Sequence, residues 1–270
     1  MKVRNKVIVI TGGGNGIGRE LVLNLLSKGA HVAAVDINAA ALHETVGLAG
    51  VMKDKLSTHV VNITDKDAVA ALPEQVITKH GTVDGVINNA GIRQHFVRVN
   101  DLDYADIDRV MNVNFYGTLY MTKAFLPHFL TRPEAHITNI SSMGGFLPVP
   151  GQTIYGAAKA AVKLFTEGLH SELSTTKVRV TVVFPGAIDT NIAANSGVRL
   201  SLFSENSNKQ GSLRPLAPSK AAQIIIDGME RDHYQIFVGR DSAFMDFIYR
   251  VSPKNAAKII FKLMQSLLPE

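Results

Sequence analysis

Cysteine is absent from the 270 residues of this chain. That absence removes disulfides, thiolate nucleophiles and cysteine metal ligands together, and it fits a reducing cytosol. Long apolar runs are also missing: none reaches the roughly 18 residues that a membrane-crossing helix needs. The start, Met1-Lys2-Val3-Arg4-Asn5-Lys6, runs into a strand-like segment without the apolar stretch of a signal peptide. The expectation is a soluble, cytoplasmic protein. Lys and Arg number 28 against 23 Asp and Glu, a net charge of +5. No basic cluster is interleaved with aromatics, so nucleic acid is not an expected partner. The nine histidines form no His-Glu-x-x-His and no ligand-like group, and no metal site is expected. No repeat, low-complexity tract or Pro/Ser-rich linker divides the chain, which favours one α/β domain.

What is present is alternation. Lys6–Thr11 is a β-branched run that stops at glycines, as a buried parallel strand does. Asn15–Lys28 reads as a helix with Ile17, Leu21, Leu25 and Leu26 on one face and Gly29 past its end. Strands are expected over His31–Asp36, Thr58–Val61, Val83–Ile87, His136–Ile140, Arg179–Phe184 and Tyr234–Val238. Helices are expected over Ala39–Leu48, Lys66–His80, Tyr104–Leu130, around Tyr155 and Lys159, and over Ser219–Arg231. Repeated strand–helix units imply right-handed crossovers and a parallel sheet covered on both faces. The expected fold is α/β: a doubly wound parallel sheet (Rossmann fold) in three layers, α/β/α, with ligands at the carboxyl ends of the strands. Residues 1–240 would form this domain. The Ser-, Asn- and Gly-rich stretch 191–218 reads as a mobile lid, with a disordered insertion as the alternative. Residues 241–270 would be a C-terminal helical extension.

Thr11-Gly12-Gly13-Gly14-Asn15-Gly16-Ile17-Gly18 joins the first strand to the first helix. Glycines there let the backbone approach a pyrophosphate, and the helix N-terminus supplies N–H groups and partial positive charge. No Gly-Lys-Ser/Thr ending follows, which argues against a P-loop. Asp36 ends the second strand, eighteen residues after Gly18. A carboxylate there accepts hydrogen bonds from an adenosine ribose and repels a 2′-phosphate. Its neutral surroundings, Asn15 and Ile37, favour NAD(H) over NADP(H). A plain helix cap is the other reading of Asp36.

Tyr155 and Lys159 lie one helical turn apart and share a face. A free phenol, with a pKa of about 10, is a poor acid near neutrality, and an ammonium beside it favours the phenolate. The pair is a candidate proton donor and acceptor.

With these elements in order, the chain resembles the short-chain dehydrogenase/reductase family over roughly residues 5 to 240. Further matches are Asn88-Asn89-Ala90-Gly91, Asn114 in Asn114-Phe115-Tyr116-Gly117, Ser142 in Asn139-Ile140-Ser141-Ser142, and Pro185-Gly186 followed by Thr190. The resemblance implies that Tyr155 protonates the developing alkoxide while hydride leaves the nicotinamide. Lys159 would favour the phenolate and bond the nicotinamide ribose, and Ser142, rather than Ser141, would bond the substrate oxygen. Asn114 would hold a water that relays protons to Lys159, with Asn112 structural. Asn62 and Ile63 would meet the adenine, although the family often has Asp where Asn62 stands. Asn89, Ala90 and Gly91 would pack beside the cofactor. Pro185, Gly186, Ile188 and Thr190 would border the nicotinamide, with Thr190 on its carboxamide. A homotetramer or homodimer is also implied.

Arg93 and His95 depart from the more apolar residues of many relatives. They would either bind a polar substrate group or face water. Met143, Gly144, Phe146, Leu147 and Ile192, with Leu200, Leu202 and Phe203, point to a fairly hydrophobic ketone or secondary alcohol as the small-molecule substrate. A 3-oxoacyl reductase and a non-catalytic NAD-sensing protein stay open as alternatives. In the tail, Ser252-Pro253 reads as a helix start. Ala256, Ile259, Ile260, Leu263 and Leu267 form an apolar stripe opposite Lys254, Lys258 and Lys262. Packing on the chain itself or on a neighbouring subunit is the plainer reading, and membrane-surface attachment the sharper one.

Overall fold

Alternate residues of the first strand feed two separate cores. The computed structural model describes residues 1–190, 192, 215–265 and 268. Its strands are β1 (Val7–Thr11), β2 (His31–Asp36), β3 (Leu56–Val60), β4 (Gly85–Asn88), β5 (Ala135–Ile140), β6 (Val178–Pro185) and β7 (Gln235–Val238). Between and after them come helices α1 (Gly16–Ser27), α2 (Ala39–Ala49), α3 (Lys66–His80), α4 (Tyr104–Met111), α5 (Gly117–Leu130), α6 (Thr153–Glu172), α7 (Pro218–Glu230), α8 (Arg240–Val251) and α9 (Pro253–Met264).

From β1, Ile8 and Ile10 join one core, with Leu21 and Leu25 of α1 and Ile225 of α7. Val7 and Val9 join the other, with Leu72 of α3, Phe125 of α5 and Leu169 of α6. A period-two strand that is apolar on both faces must be covered on both, and the helices do this. Phe125 and Phe129 are fully buried, each such burial contributing about 1.5–3 kcal/mol.

The sheet has seven parallel strands in the order β3-β2-β1-β4-β5-β6-β7. The doubly wound expectation holds. The order reverses between β1 and β4, which is where such sheets leave a crevice.

Several boundaries move. β3 begins at Leu56, after a 3-10 turn over Gly50–Lys55, and β4 begins at Gly85. The expected helix over 104–130 runs its full length, but with a π-helical turn over Asn112–Tyr116 between α4 and α5. The extra residue accompanies the inward turn of Asn114, which is fully buried and bonded to the chain after β4.

Leu200, Leu202 and Phe203 lie outside the described residues. The flanks of that stretch are paired, Ile188 bridging Leu216. In the tail, Ser252 precedes α9 without a side-chain cap bond. The apolar stripe packs only in part. Ala256 and Ile260 are buried with Leu147 and Met245, whereas Ile259 and Leu263 are exposed, because the packed face follows the spacing 256, 260, 264. Leu267 is outside the described residues. Among those described, no helix is long and apolar enough to cross a membrane.

Candidate active site

The ends of β1 and β4 are tied at the switch point. Thr11 Oγ1 accepts from the backbone N–H groups of Asn89 and Ala90 at 3.0 Å each, and Asn89 Nδ2 donates to the Thr11 carbonyl at 3.0 Å. The glycine turn sits against this knot. Gly12 has φ +71°, and a Cβ there would stand 2.9 Å from Asn89 Nδ2. A Cβ on Gly18 would strike the Gly12 carbonyl. Gly16, at φ +52°, has its nearest neighbour, Thr190, 3.6 Å from such a Cβ. The turn is thus packed shut behind and open in front, where the first-turn N–H groups of α1 lack intrahelical acceptors. Asn15 Oδ1 takes the Gly16 N–H at 2.7 Å.

A groove of about 520 Å³ opens there. Of the expected cofactor residues, Gly12, Asn15, Gly16, Ile17, Asp36, Ile37, Asn62, Ile63, Asn89, Ala90, Gly91 and Thr190 line it, as does Ile192. Gly18, Tyr155, Lys159, Pro185, Gly186 and Ile188 do not line it. Gly18 is the packing glycine of the turn. Gly186 follows β6, its N–H bonded to the Val238 carbonyl at 2.9 Å, and Asp241 Oδ2 accepts from Ala187 N at 2.7 Å. A dinucleotide fits this lining: N–H donors from a glycine cradle and a helix N-terminus, and an accepting carboxylate at the far end.

That carboxylate is held. Asp36 Oδ2 accepts from Gly14 N at 2.9 Å and Oδ1 from Asn38 N at 3.0 Å. Asn38, not Asp36, caps α2, through Ala41 N. Arg19, the nearby cation, is engaged elsewhere: Nε donates to the Gly14 carbonyl at 2.9 Å, and NH2 lies 2.7 Å from Glu44.

The groove's inner end meets a second set of groups. A Cβ on Gly91 would lie 2.8 Å from Asn114 Oδ1 and 3.2 Å from Lys159 Nζ. Lys159 is buried on α6, and Nζ donates to the Ile140 carbonyl at 2.9 Å. Burial pushes the ammonium's pKa below the usual lysine value, and the charge of Tyr155 opposes that shift. Tyr155 is 8% exposed, so little of it reaches solvent. Its ring and Ser142 Oγ flank Gly144, at 3.5 and 3.6 Å from the position of a Cβ there. Ser141 is the one engaged in structure, donating to the Lys159 carbonyl at 2.7 Å. Ser142 Oγ accepts from Gly144 N at 3.1 Å and keeps its hydroxyl proton to donate.

The other expected residues separate. The Arg93 guanidinium lies 5.8 Å from the Tyr155 ring centroid, whereas His95 is exposed. Met143 and Phe146 pack beside Leu147, and the Phe146 ring meets Phe184 edge-on at 5.5 Å. Asn112 is exposed. Two residues carried no signal in the sequence. Arg109 lines the groove while paired with Asp106 at 3.1 Å. Gln94, between Arg93 and His95, is fully buried. Among the described residues, no group of acidic or histidine side chains could hold a metal ion.

The chain is similar to known proteins in sequence and fold. A family model described as short chain dehydrogenase covers residues 6–199. The SadH protein of Mycobacterium tuberculosis is 37% identical over 261 residues, spanning 94% of each chain. A 3-ketoacyl-(acyl-carrier-protein) reductase from Brucella melitensis, solved with NADH, superposes with a TM-score of 0.78 at 28% identity, covering 87% of this chain and 97% of its own. A short chain dehydrogenase from Burkholderia cenocepacia, solved with NADP, shares the fold with a TM-score of 0.80 at 23% identity, covering 96% and 99%.

Proposed function

We propose, from the premise that the chain belongs to the short-chain dehydrogenase/reductase family, that it interconverts a secondary alcohol and a ketone with NAD(H). One observation carries the reading. Gly91 lines the dinucleotide groove and at the same time abuts Lys159 Nζ and Asn114 Oδ1, so the groove and the Tyr155 corner are one site.

The nicotinamide, when bound, supplies the hydride to the carbonyl carbon or takes it from the carbinol. The chain's own residues manage the oxygen and its proton. In reduction, Tyr155 donates its phenolic proton to the oxygen on which negative charge develops. The Ser142 hydroxyl donates a hydrogen bond to the same oxygen and gains strength as that charge grows. The Lys159 ammonium, one turn along α6, offsets the phenolate left behind. Asn114 keeps one amide hydrogen and one lone pair beyond its bonds to Ile92, enough for a bridging water toward Lys159.

Two observations support NAD(H) over NADP(H). The Asp36 carboxylate is pinned at the groove's end, and Arg19 is already occupied by Glu44. A 2′-phosphate would meet the negative charge of Asp36, and Arg19 would have to leave Glu44 to offset it. A hydrophobic ketone suits the apolar residues around Ser142, with 191–218 as the proposed lid and 241–270 as a helical extension. A cytoplasmic homodimer or homotetramer acting on a small molecule completes the proposal. A second reading, 3-oxoacyl reduction, is favoured by the likeness to the Brucella melitensis enzyme.

The test follows NADH absorbance over a panel containing acetophenone, decalone and an acetoacetyl thioester, with wild type and Tyr155→Phe. Turnover by wild type and its loss in Tyr155→Phe, with NADH binding retained, is expected. A fully active Tyr155→Phe protein overturns the mechanism. Tight NADH binding without consumption of any ketone favours an NAD-sensing role instead.

A further inference from the structure

The helix carrying Tyr155 and Lys159 does not cap itself. Its N-cap residue is Gln152, whose side chain makes no capping bond. First-turn N–H groups lack intrahelical acceptors, and a capping side chain ordinarily takes those of the second and third helical residues. In α6 these are Ile154 and Tyr155. Both go to one atom from a distant part of the chain: Gln94 Oε1 accepts from Ile154 N at 2.8 Å and from Tyr155 N at 2.9 Å. Gln94 stands 61 residues before Tyr155, on the segment that follows β4.

The remaining bonds close a clamp. Gln94 Nε2 donates to the Gly151 carbonyl at 3.0 Å. Gln152 Nε2 answers by donating to the Gln94 carbonyl at 3.0 Å and to the Gly151 carbonyl at 2.9 Å. Both glutamines are buried, at 0% and 3% exposure. Water cannot easily replace an amide there, so removing Gln94 would strand two N–H groups and weaken the tie to Gly151. The segment that supplies Gln94 starts at Gly91 and Ile92, which border the dinucleotide groove. The wall of the groove and the first turn of α6 are therefore tied together only a few residues from the groups that must meet.

We propose that Gln94 is a positioning residue for the reaction: a cap supplied through space that sets where α6 begins, and with it the height of Tyr155 and Lys159 over the groove. Gln94 touches no reacting atom. The proposal rests on the reading of Tyr155 as the proton donor.

The test compares Gln94→Met, which is similar in size and lacks the amide, with Gln94→Glu, which keeps acceptor oxygens. Val76→Ala, a buried change on α3, serves as a destabilised control. Four quantities are read on the full chain: amide hydrogen exchange at Ile154 and Tyr155, the NADH dissociation constant, and kcat and KM for acetophenone with NADH. In Gln94→Met, exchange at the two amides should accelerate roughly tenfold or more. NADH affinity should stay within about twofold. The kcat should fall about 10- to 100-fold with KM much less changed, the signature of misplaced reacting groups. Gln94→Glu keeps an acceptor for the two amides but sets an oxygen against the Gly151 carbonyl in place of Nε2, so its exchange rates and kcat should fall between those of Gln94→Met and wild type.

Wild-type exchange rates in Gln94→Met overturn the proposal. So does fast exchange with a kcat no lower than that of Val76→Ala, which would make the clamp purely structural. If the wild-type chain reduces no ketone, the reading of the reaction fails instead. Exchange then still decides the clamp, and unchanged rates in Gln94→Met overturn it there as well.

Discussion

The side-chain amide of Asn114 pairs with the backbone of Ile92 in both directions. Asn114 Oδ1 accepts from Ile92 N and Nδ2 donates to the Ile92 carbonyl, each at 2.9 Å. A side chain thereby does what a neighbouring strand would do, and it holds the chain leaving β4 against the π-helical turn. Asn114→Leu would strand both Ile92 groups inside the protein, at a cost of about 2–5 kcal/mol. Urea unfolding should show that loss, together with a fall in turnover. A stability within about 0.5 kcal/mol of wild type would contradict the pairing.

Gly91→Ala tests the joint between groove and proton-transfer corner. The new methyl would lie 2.8 Å from Asn114 Oδ1 and 3.2 Å from the Lys159 ammonium, so both the Asn114–Ile92 pairing and the ammonium would have to shift. Displacement of that ammonium should lower kcat about tenfold or more, with a stability loss of about 1–3 kcal/mol. Steady-state kinetics at saturating NADH measure the first effect and thermal unfolding the second. An unchanged kcat would separate Gly91 from the chemistry.

Asp36 is expected to decide between the two nicotinamide cofactors. Asp36→Ala should weaken NADH binding about 10- to 100-fold, the worth of a lost charge-assisted hydrogen bond. Adding Ile37→Arg, at an exposed position lining the groove, should bring in NADPH. Fluorescence titration with both cofactors reads the outcome. A wild type that prefers NADPH would refute this reading of the carboxylate.

His136 makes stability depend on pH. It is fully buried in β5, and burial, then the positive chain terminus and Arg179, lower its pKa to about 3. The unfolded chain takes up the proton near pH 6.5 while the folded one resists it. The stability is therefore fully present above about pH 6.5 and is lost progressively as the pH falls toward 3. Between pH 6.5 and 5 the loss should be about 2 kcal/mol. His80, lowered to about 4 mainly by burial, acts in the same direction. Urea melts at pH 7.5 and 5.0 test this, with His136→Leu expected to flatten the dependence. Equal slopes for the two proteins would place the acid sensitivity elsewhere.

Much of the proposed site was legible because it is written in short intervals. Tyr155 and Lys159 share a face by helical spacing alone, and the Gly12–Gly18 turn declares itself between a strand and a helix. The resemblance already pointed to Ser142 rather than Ser141, and the structure adds a physical reason: the Ser141 hydroxyl is spent on the Lys159 carbonyl, while Ser142 Oγ accepts from Gly144 N and keeps its proton to donate. Arg93 and His95 drew notice as polar residues near a pocket, yet one lies by the Tyr155 ring and the other faces water. Gln94, between them, had no periodicity or motif to mark it.

Hydrophobic period and glycine placement pointed to the parallel sheet and to the tight turn between β1 and α1, and helical spacing put Tyr155 and Lys159 on one face, since each signal is local in the chain. Tertiary structure alone decided the π-helical turn at Asn114, the engagement of Ser141 by the Lys159 carbonyl and the capping of α6 by Gln94. Each of those depends on a buried polar group finding its partner across tens of residues. Such a pairing has no spacing rule, because it is set by which segments the sheet brings side by side.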